Sequence, residues 1–349
     1  MLANTLNIRE AASCDWDCVS LGEILLRFDP GECRIHNARS FQVWDGGAEY
    51  NVAANLSRVF RRRTAIATAL HDNSIGRLAE DFARNSGVDT SLIKWSDAGR
   101  NGLYFIERGH GVRPPASAFD RAGTAISLLA EGEMNWTDVF SRGARWFHTG
   151  GVFAGLSDSS PAVAAEAMRM ARESGAIVSY DLNYRESLWG KRGGQNAANA
   201  INGELAKHAD VVFGVFDYDS SLSKFDRELF SISAEKMVSQ FSRLKYLVST
   251  LRTTHSANVH DLGAACFSEG EVTMARSFER VNVVDRVGSG DAFVSGFVDS
   301  LLDGSDAQTA IDCGTAHGVL AMTTPGDVSS ATAAEVYRLM KSSDAAALR

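Results

Sequence analysis

The sequence predicts an α/β protein, with a mostly parallel sheet covered by helices on both faces. Three observations carry this. Six short apolar runs, rich in β-branched or aromatic residues, recur along the chain, and most end in Gly, Asp or Thr. Amphipathic stretches of helical spacing lie between them. With 349 residues, 45% of them hydrophobic, the chain can bury one large core rather than two equal halves.

The expected strands cover 18–28, 64–70, 145–149, 176–182, 209–214 and 246–250. The spacing predicts a helix over 51–60, with Val52, Leu56 and Val59 on one side. Another spans 160–174, opened by Pro161 at the favoured first position and closed before Gly175. Two stretches break the alternation. Segments 31–43 and 101–121 are polar or alternating, with turn residues Gly109, Gly111, Pro114 and Pro115. They are expected to project from the sheet as a small β lid. From Gly288 onward the pattern is mainly helical. The organisation expected is one domain over 17–341 preceded by an extension, 1–16.

Composition narrows the partners. A net charge of −8 and one basic cluster, Arg61-Arg62-Arg63, argue against nucleic acid and membrane surfaces. That triplet follows an amphipathic stretch and reads as a solvated helix end. The first twenty residues hold no apolar run fit for a signal peptide, and no window approaches the roughly 18 apolar residues of a membrane span. Cys14, Cys18, Cys33, Cys266 and Cys313 are odd in number and scattered, which suits reduced thiols in a cytoplasm.

The sharpest chemical feature is Asp285-Arg286-Val287-Gly288-Ser289-Gly290-Asp291, running into an apolar helix face. The first amides of such a helix lack internal partners and its dipole is positive there, so the small-residue turn forms an anion hole. Asp291 then has two readings: a base taking a proton from an attacking hydroxyl, or a carboxylate that complements the helix end. A Walker A lysine loop is absent, and no GxGxxG follows the first strand, which disfavours a dehydrogenase. Ligands of open α/β sheets bind beyond the carboxyl ends of the strands. Thr149-Gly150-Gly151 falls at one such end, and Asp181, Asn183 and Arg185 at another.

A second segment, Asp45-Gly46-Gly47-Ala48-Glu49-Tyr50-Asn51, couples a Gly-Gly turn to a helix. Together with Gly288–Asp291 it resembles the two signatures of ribokinase-like (PfkB) carbohydrate kinases, over roughly 17–339. The resemblance implies a three-layer sandwich with a β lid, and ATP and Mg²⁺ as cofactors, with a monovalent cation as a further candidate. It implies sugar binding at Gly46, Gly47 and Asn51. Gly288, Ser289 and Gly290 would form the anion hole, and Asp291 would be the base. Within the family the chain is most similar to 2-keto-3-deoxygluconate kinases, through Ser20–Arg27, Trp146–Gly151 and Val178–Arg185. Asp181, Asn183 and Arg185 resemble an Asp-x-Asn-x-Arg element whose arginine meets the substrate carboxylate; a surface ion pair is the plainer reading of Arg185. Tyr104 resembles a lid tyrosine over the sugar, or is a packed aromatic. Thr250, Arg252, Asp285 and His317 fall where the family holds its nucleotide, and family lids often pair across a homodimer.

The chain also departs from the family. Where an Asn-x-x-Glu commonly organises Mg²⁺ through water, it reads Val215-Phe216-Asp217-Tyr218-Asp219, leaving Asp217 or Asp219 as the acid. A Gly-rich nucleotide strand is replaced by Thr250-Leu251-Arg252-Thr253. Arg286 stands where Asp-Thr-x is usual, and is a candidate for nucleotide phosphate or for replacing a monovalent-cation site. His148, His255 and His317 share no metal-type spacing. The expected activity is phosphorylation of a sugar-acid hydroxyl. A neutral-sugar kinase of fructokinase type and a low-turnover binding protein of the same fold are the alternatives.

Overall fold

The computed structural model describes residues 6–216, 218 and 220–341. In chain order the strands are β1 (Trp16–Leu21), β2 (Leu25–Asp29), β3 (Gln42–Gly46), β4 (Thr64–His71), β5 (Val88–Asp89), β6 (Ile93–Ser96), β7 (Gly102–Glu107), β8 (Ala116–Asp120), β9 (Ala144–Gly150), β10 (Ile177–Asp181), β11 (Val211–Phe213), β12 (Tyr246–Ser256), β13 (Val259–Ser268), β14 (Glu271–Met274) and β15 (Phe278–Asn282). The helices are α1 (Ala48–Phe60), α2 (Ser74–Asn85), α3 (Trp136–Ser141), α4 (Gly151–Ala154), α5 (Ser160–Glu173), α6 (Glu186–Trp189), α7 (Gly194–Ala206), α8 (Arg227–Gln240), α9 (Ser289–Leu302), α10 (Ala307–Ala321) and α11 (Ala333–Lys341).

The large sheet runs β14-β13-β12-β11-β10-β9-β1-β4-β5, with β15 on β13 and β6 on β4. From β12 through β4 the neighbours are parallel, and β13 adds an antiparallel edge. Parallel strands covered on both faces are mostly apolar, and β1 is buried along its whole length, Asp17 and Ser20 included. The two-residue period then sorts alternate side chains to opposite faces. Phe147, Val178, Val212 and Leu247 join the core under α3, α5, α7 and α8. Trp146, Ile177, Val211 and Tyr246 join the core under α1, α9, α10 and α11. The result is a three-layer sandwich, as the resemblance implies.

The second sheet, β3-β2-β7-β8, is the lid. The run expected as one strand over 18–28 is broken at Gly22-Glu23-Ile24, so that β1 stays in the large sheet while β2 crosses into the lid. Segment 31–43 is mainly the connection between lid strands, with a single 3-10 turn at Ile35–Asn37. Segment 101–121 does supply two lid strands, β7 and β8. Ile24 and Leu26 pack with Tyr50, Ala53 and Ala79, fastening the root of the lid to α1 and α2.

Phe297 is fully buried on α9 and makes edge contacts with Phe213 at 5.6 Å and Tyr246 at 6.0 Å. Phe297→Ala is expected to cost about 3–5 kcal/mol, since transfer and cavity terms add. Denaturant unfolding of both proteins measures it.

Candidate active site

A cavity of about 1030 Å³ opens at the carboxyl ends of the parallel strands and beneath the lid. Its walls include Gly47, Asn51, Tyr104, Asp181, Asn183, Arg185, Thr250, Arg252, Gly288, Ser289, Gly290 and Asp291, all marked out by sequence.

Two helix N-termini meet here. Gly47 caps α1 with φ 140°, and a Cβ on it would lie 1.9 Å from the Glu23 carbonyl. Gly288 caps α9 with φ 78°, and a Cβ there would lie 1.9 Å from the Asp327 carbonyl. Glycine is required at both, for conformation and for contact. The amides of Gly290 and Asp291 have no acceptor among the described residues, leaving donors for a phosphate. Asn51 Nδ2 donates to Asp291 Oδ2 at 2.7 Å, joining the two helices. The other Asp291 oxygen has no partner among the described residues. Burial pushes the Asp291 carboxyl up to about 7; Asp181 and Asp327 add to the rise, while the Asn51 bond and Arg185 oppose it.

Arg185 caps the short α6 beside Asp181, and its guanidinium has no bonded partner among the described residues. Asp181 instead accepts from the Asn183 main-chain N–H at 3.1 Å and from Asn183 Nδ2 at 3.3 Å. Asn183 adopts φ 21° to close this turn, and burial raises Asp181 to about 6. Arg252 and Arg286 line the same cavity and also lack ion-pair partners among the described residues. Desolvation lowers the pKa of both, and repulsion from Arg185 adds to it. Three guanidinium groups without carboxylate partners in one cavity make a receptor for anions.

Other sequence candidates fall outside the cavity wall. His317 is a core residue: its Nδ1 lies 3.0 Å from Ser295 Oγ and its ring meets Phe60 edge-on at 5.1 Å. Burial holds it neutral, with its pKa lowered to about 3. Its neighbours Thr315 and Gly318 reach the cavity instead. His148 is similarly buried against Ser179, and His255 pairs with Asp261. Gly46 packs under the Asp327 carboxylate and the Tyr104 hydroxyl. Asp285 is engaged by Arg27. Asp217 and Asp219 lie outside the described residues.

Several further carboxyls near the site receive no role from the sequence. Tyr104 donates its hydroxyl to Asp327 and stacks on Phe119 at 5.3 Å. Glu49 accepts from the Phe153 N–H at 3.0 Å through one oxygen, while the other has no partner among the described residues. Burial pushes Glu49 to about 8, helped by Asp291 and Asp181. Glu23 is buried with Arg121 3.5 Å away, and its pKa is raised to about 7 by desolvation. Glu49 sits in the glycine-rich segment and was open to notice. Asp327 follows Pro325-Gly326 in an ordinary turn, and nothing in its sequence signals it.

An anion cradle facing a buried carboxylate, roofed by a second sheet, belongs to phosphotransferases of the ribokinase-like α/β fold. Residues 16–334 match the pfkB family carbohydrate kinase, and the chain belongs to that family. It is 30% identical to the 2-dehydro-3-deoxygalactonokinase of Haloferax volcanii, covering 94% of this chain and 98% of that one. Fructokinase-1 of Oryza sativa subsp. japonica is 28% identical, covering 93% and 97%. The crystal structure of 2-dehydro-3-deoxygluconokinase from Thermotoga maritima superposes with a TM-score of 0.85 at 32% identity, over 93% of this chain and 99% of that one. The chain is a carbohydrate kinase.

Asp291→Asn is expected to lower kcat by about 10²–10⁴-fold while nucleotide binding persists. As a base, Asp291 works ionised, so wild-type kcat/KM should rise with pH through about 7. Stability runs the other way. A carboxyl raised from 3.8 in the unfolded chain to about 7 in the fold contributes stability that is lost as pH rises through that window. Asp291→Asn should therefore gain Tm relative to wild type progressively from pH 4 to pH 8. Rate profiles and melting curves across this range check both.

Proposed function

We propose that the chain transfers the terminal phosphoryl group of ATP to a hydroxyl of a 2-keto-3-deoxy sugar acid, of the gluconate or galactonate type. The observation that carries this is the Arg185 guanidinium, lining the same cavity as Asp291 with no carboxylate of the described residues in ion-pair contact with it. A planar two-pronged cation suits a substrate carboxylate and has no equivalent task with a neutral ketose. The names of the Haloferax and Thermotoga relatives support the acid.

In this reading the sugar acid lies between Asn51, Tyr104 and Arg185, with Gly47 allowing close backbone approach. The free oxygen of Asp291 accepts the proton of the attacking hydroxyl. The Gly290 and Asp291 amides meet the transferring phosphate, and Arg252 on β12 and Arg286 in the turn before α9 meet the phosphates. Catalysis is then chiefly positioning and charge stabilisation. Mg²⁺ would neutralise phosphate charge, keeping several waters and using few protein carboxylates. Among the described residues no three His, Cys, Asp or Glu side chains gather as a cation site, which fits an ion held largely by the nucleotide; Asp217 and Asp219 are the acids the sequence offers. A cytoplasmic location belongs to this reading, supported by five free cysteines. So does a homodimer through the lid, whose outer strand β8 is exposed at all five residues.

The test is a panel of 2-keto-3-deoxy acids, fructose and ribose, scored by ATP consumption. The acids should give the highest kcat/KM. Arg185→Lys should raise KM for the acids by about 10–100-fold, the worth of a charged hydrogen-bond pair, and leave neutral sugars nearly unchanged. Fructose as the best substrate, with Arg185→Lys silent, would establish the neutral-sugar alternative instead.

A further inference from the structure

Arg27 lies on β2 at the root of the lid, yet it is fully buried and is not part of the cavity wall. Its guanidinium reaches carboxylates from three separate segments. Nη1 donates to Asp327 Oδ1 at 2.8 Å, Nη2 to Asp29 Oδ2 at 2.9 Å, and Nη2 also to Asp285 Oδ2. Both distant segments bear on the phosphate-binding end of α9, Asp285 through its carboxylate and Asp327 through its main chain. Asp285 Oδ1 accepts the Val287 N–H at 3.1 Å and Oδ2 the Gly326 N–H at 3.3 Å. The Asp327 carbonyl packs directly on Gly288, and its Oδ2 accepts from Tyr104.

A monovalent cation seated behind the anion hole would draw on Asp285, the carboxylate in the turn before it. The residues do not fit such an ion. Both Asp285 oxygens are already occupied, one by a main-chain amide and the other by a guanidinium and a second amide. Arg108 Nε adds a second guanidinium 3.3 Å from Asp29, so the cluster already holds two fixed cationic side chains. A buried cation hydrogen-bonded on several sides is rigid, and removing it would leave carboxylates uncompensated.

We propose that Arg27 is a positioning residue that takes the place of a monovalent cation, holding the 285–288 turn and the 326–327 loop in the shape that receives phosphate. Phosphoryl transfer by this chain then needs no added K⁺ or Na⁺. The proposal holds for whichever hydroxyl is phosphorylated, so failure of the sugar-acid reading leaves it intact.

The first experiment uses the intact wild-type enzyme with its best acceptor, at constant ionic strength set by tetramethylammonium chloride. Replacing that salt with KCl or NaCl up to about 100 mM is expected to change kcat by less than about twofold, the scale of non-specific salt effects on exposed charges. Saturable activation of about tenfold or more by either ion overturns the proposal. The second experiment uses Arg27→Ala, with circular dichroism to confirm the fold. Its kcat should fall by about 100-fold or more, of the order seen when oxyanion donors are misplaced. KM for the acceptor should change little, and guanidinium or K⁺ at millimolar concentration should restore part of the rate saturably. A folded Arg27→Ala enzyme with wild-type kcat, or a loss that no small cation relieves, counts against a cation-replacing role. The wild-type titration decides the matter even where Arg27→Ala does not fold.

Discussion

The N-termini of α1 and α9 are made to meet, and the chemistry of the cavity follows from that constraint. The two helices begin near opposite ends of the chain, lie on the same face of the large sheet, and share its apolar core. Each helix end presents unpaired amides and the positive pole of its dipole. Asn51 of one bonds Asp291 of the other. Two positive poles and a wall of guanidinium groups concentrate anions, and the same enclosure withholds water from every carboxyl placed there. Asp291, Glu49 and Asp181 are accordingly pushed toward neutrality, in each case by burial first. Neighbouring carboxylates add to the rise at Asp291 and Glu49. A base poised near neutral pH is thus a by-product of enclosure, because the apolar core that brings the helices together is also what dries the cavity.

Local sequence made the sandwich legible wherever period and punctuation agreed. Parallel strands announced themselves as short, mostly apolar runs, and α5 was bracketed by Pro161 and Gly175. The lid was harder. Gly22-Glu23-Ile24 interrupts the hydrophobic run too little to show that the chain leaves one sheet for another, since strands on both sides of the break are buried. Pairing partners decide that change, and they come from elsewhere in the chain: β3 on one side, β7 on the other.

The site divides along the same line. Residues within short glycine-bearing segments, such as Gly47, Asn51 and Gly288 to Asp291, could be read because the helix end and its ligand chemistry are written together. Arg27 and Asp327 are 300 positions apart in sequence and have meaning as a pair. His317 shows the converse error. A histidine in a helix beside cavity-lining neighbours looks functional in one dimension, but its face of the helix turns toward Phe60 and Ser295.

The buried ion network at the lid root also bears on motion. Arg27 and Tyr104 tie β2 and β7 to the loop that borders the phosphate cradle, and Ile24 and Leu26 pack that root on α1 and α2. Strand β8 has no buried ion network among the described residues: its residues are exposed, and it is held by ladder bonds to β7, by Phe119 stacked on Tyr104 and by the half-exposed Arg100–Asp120 pair. The roof therefore behaves as a cantilever with a clamped base. With the base clamped at the phosphate end of the cavity, displacement of the roof costs least at its outer edge.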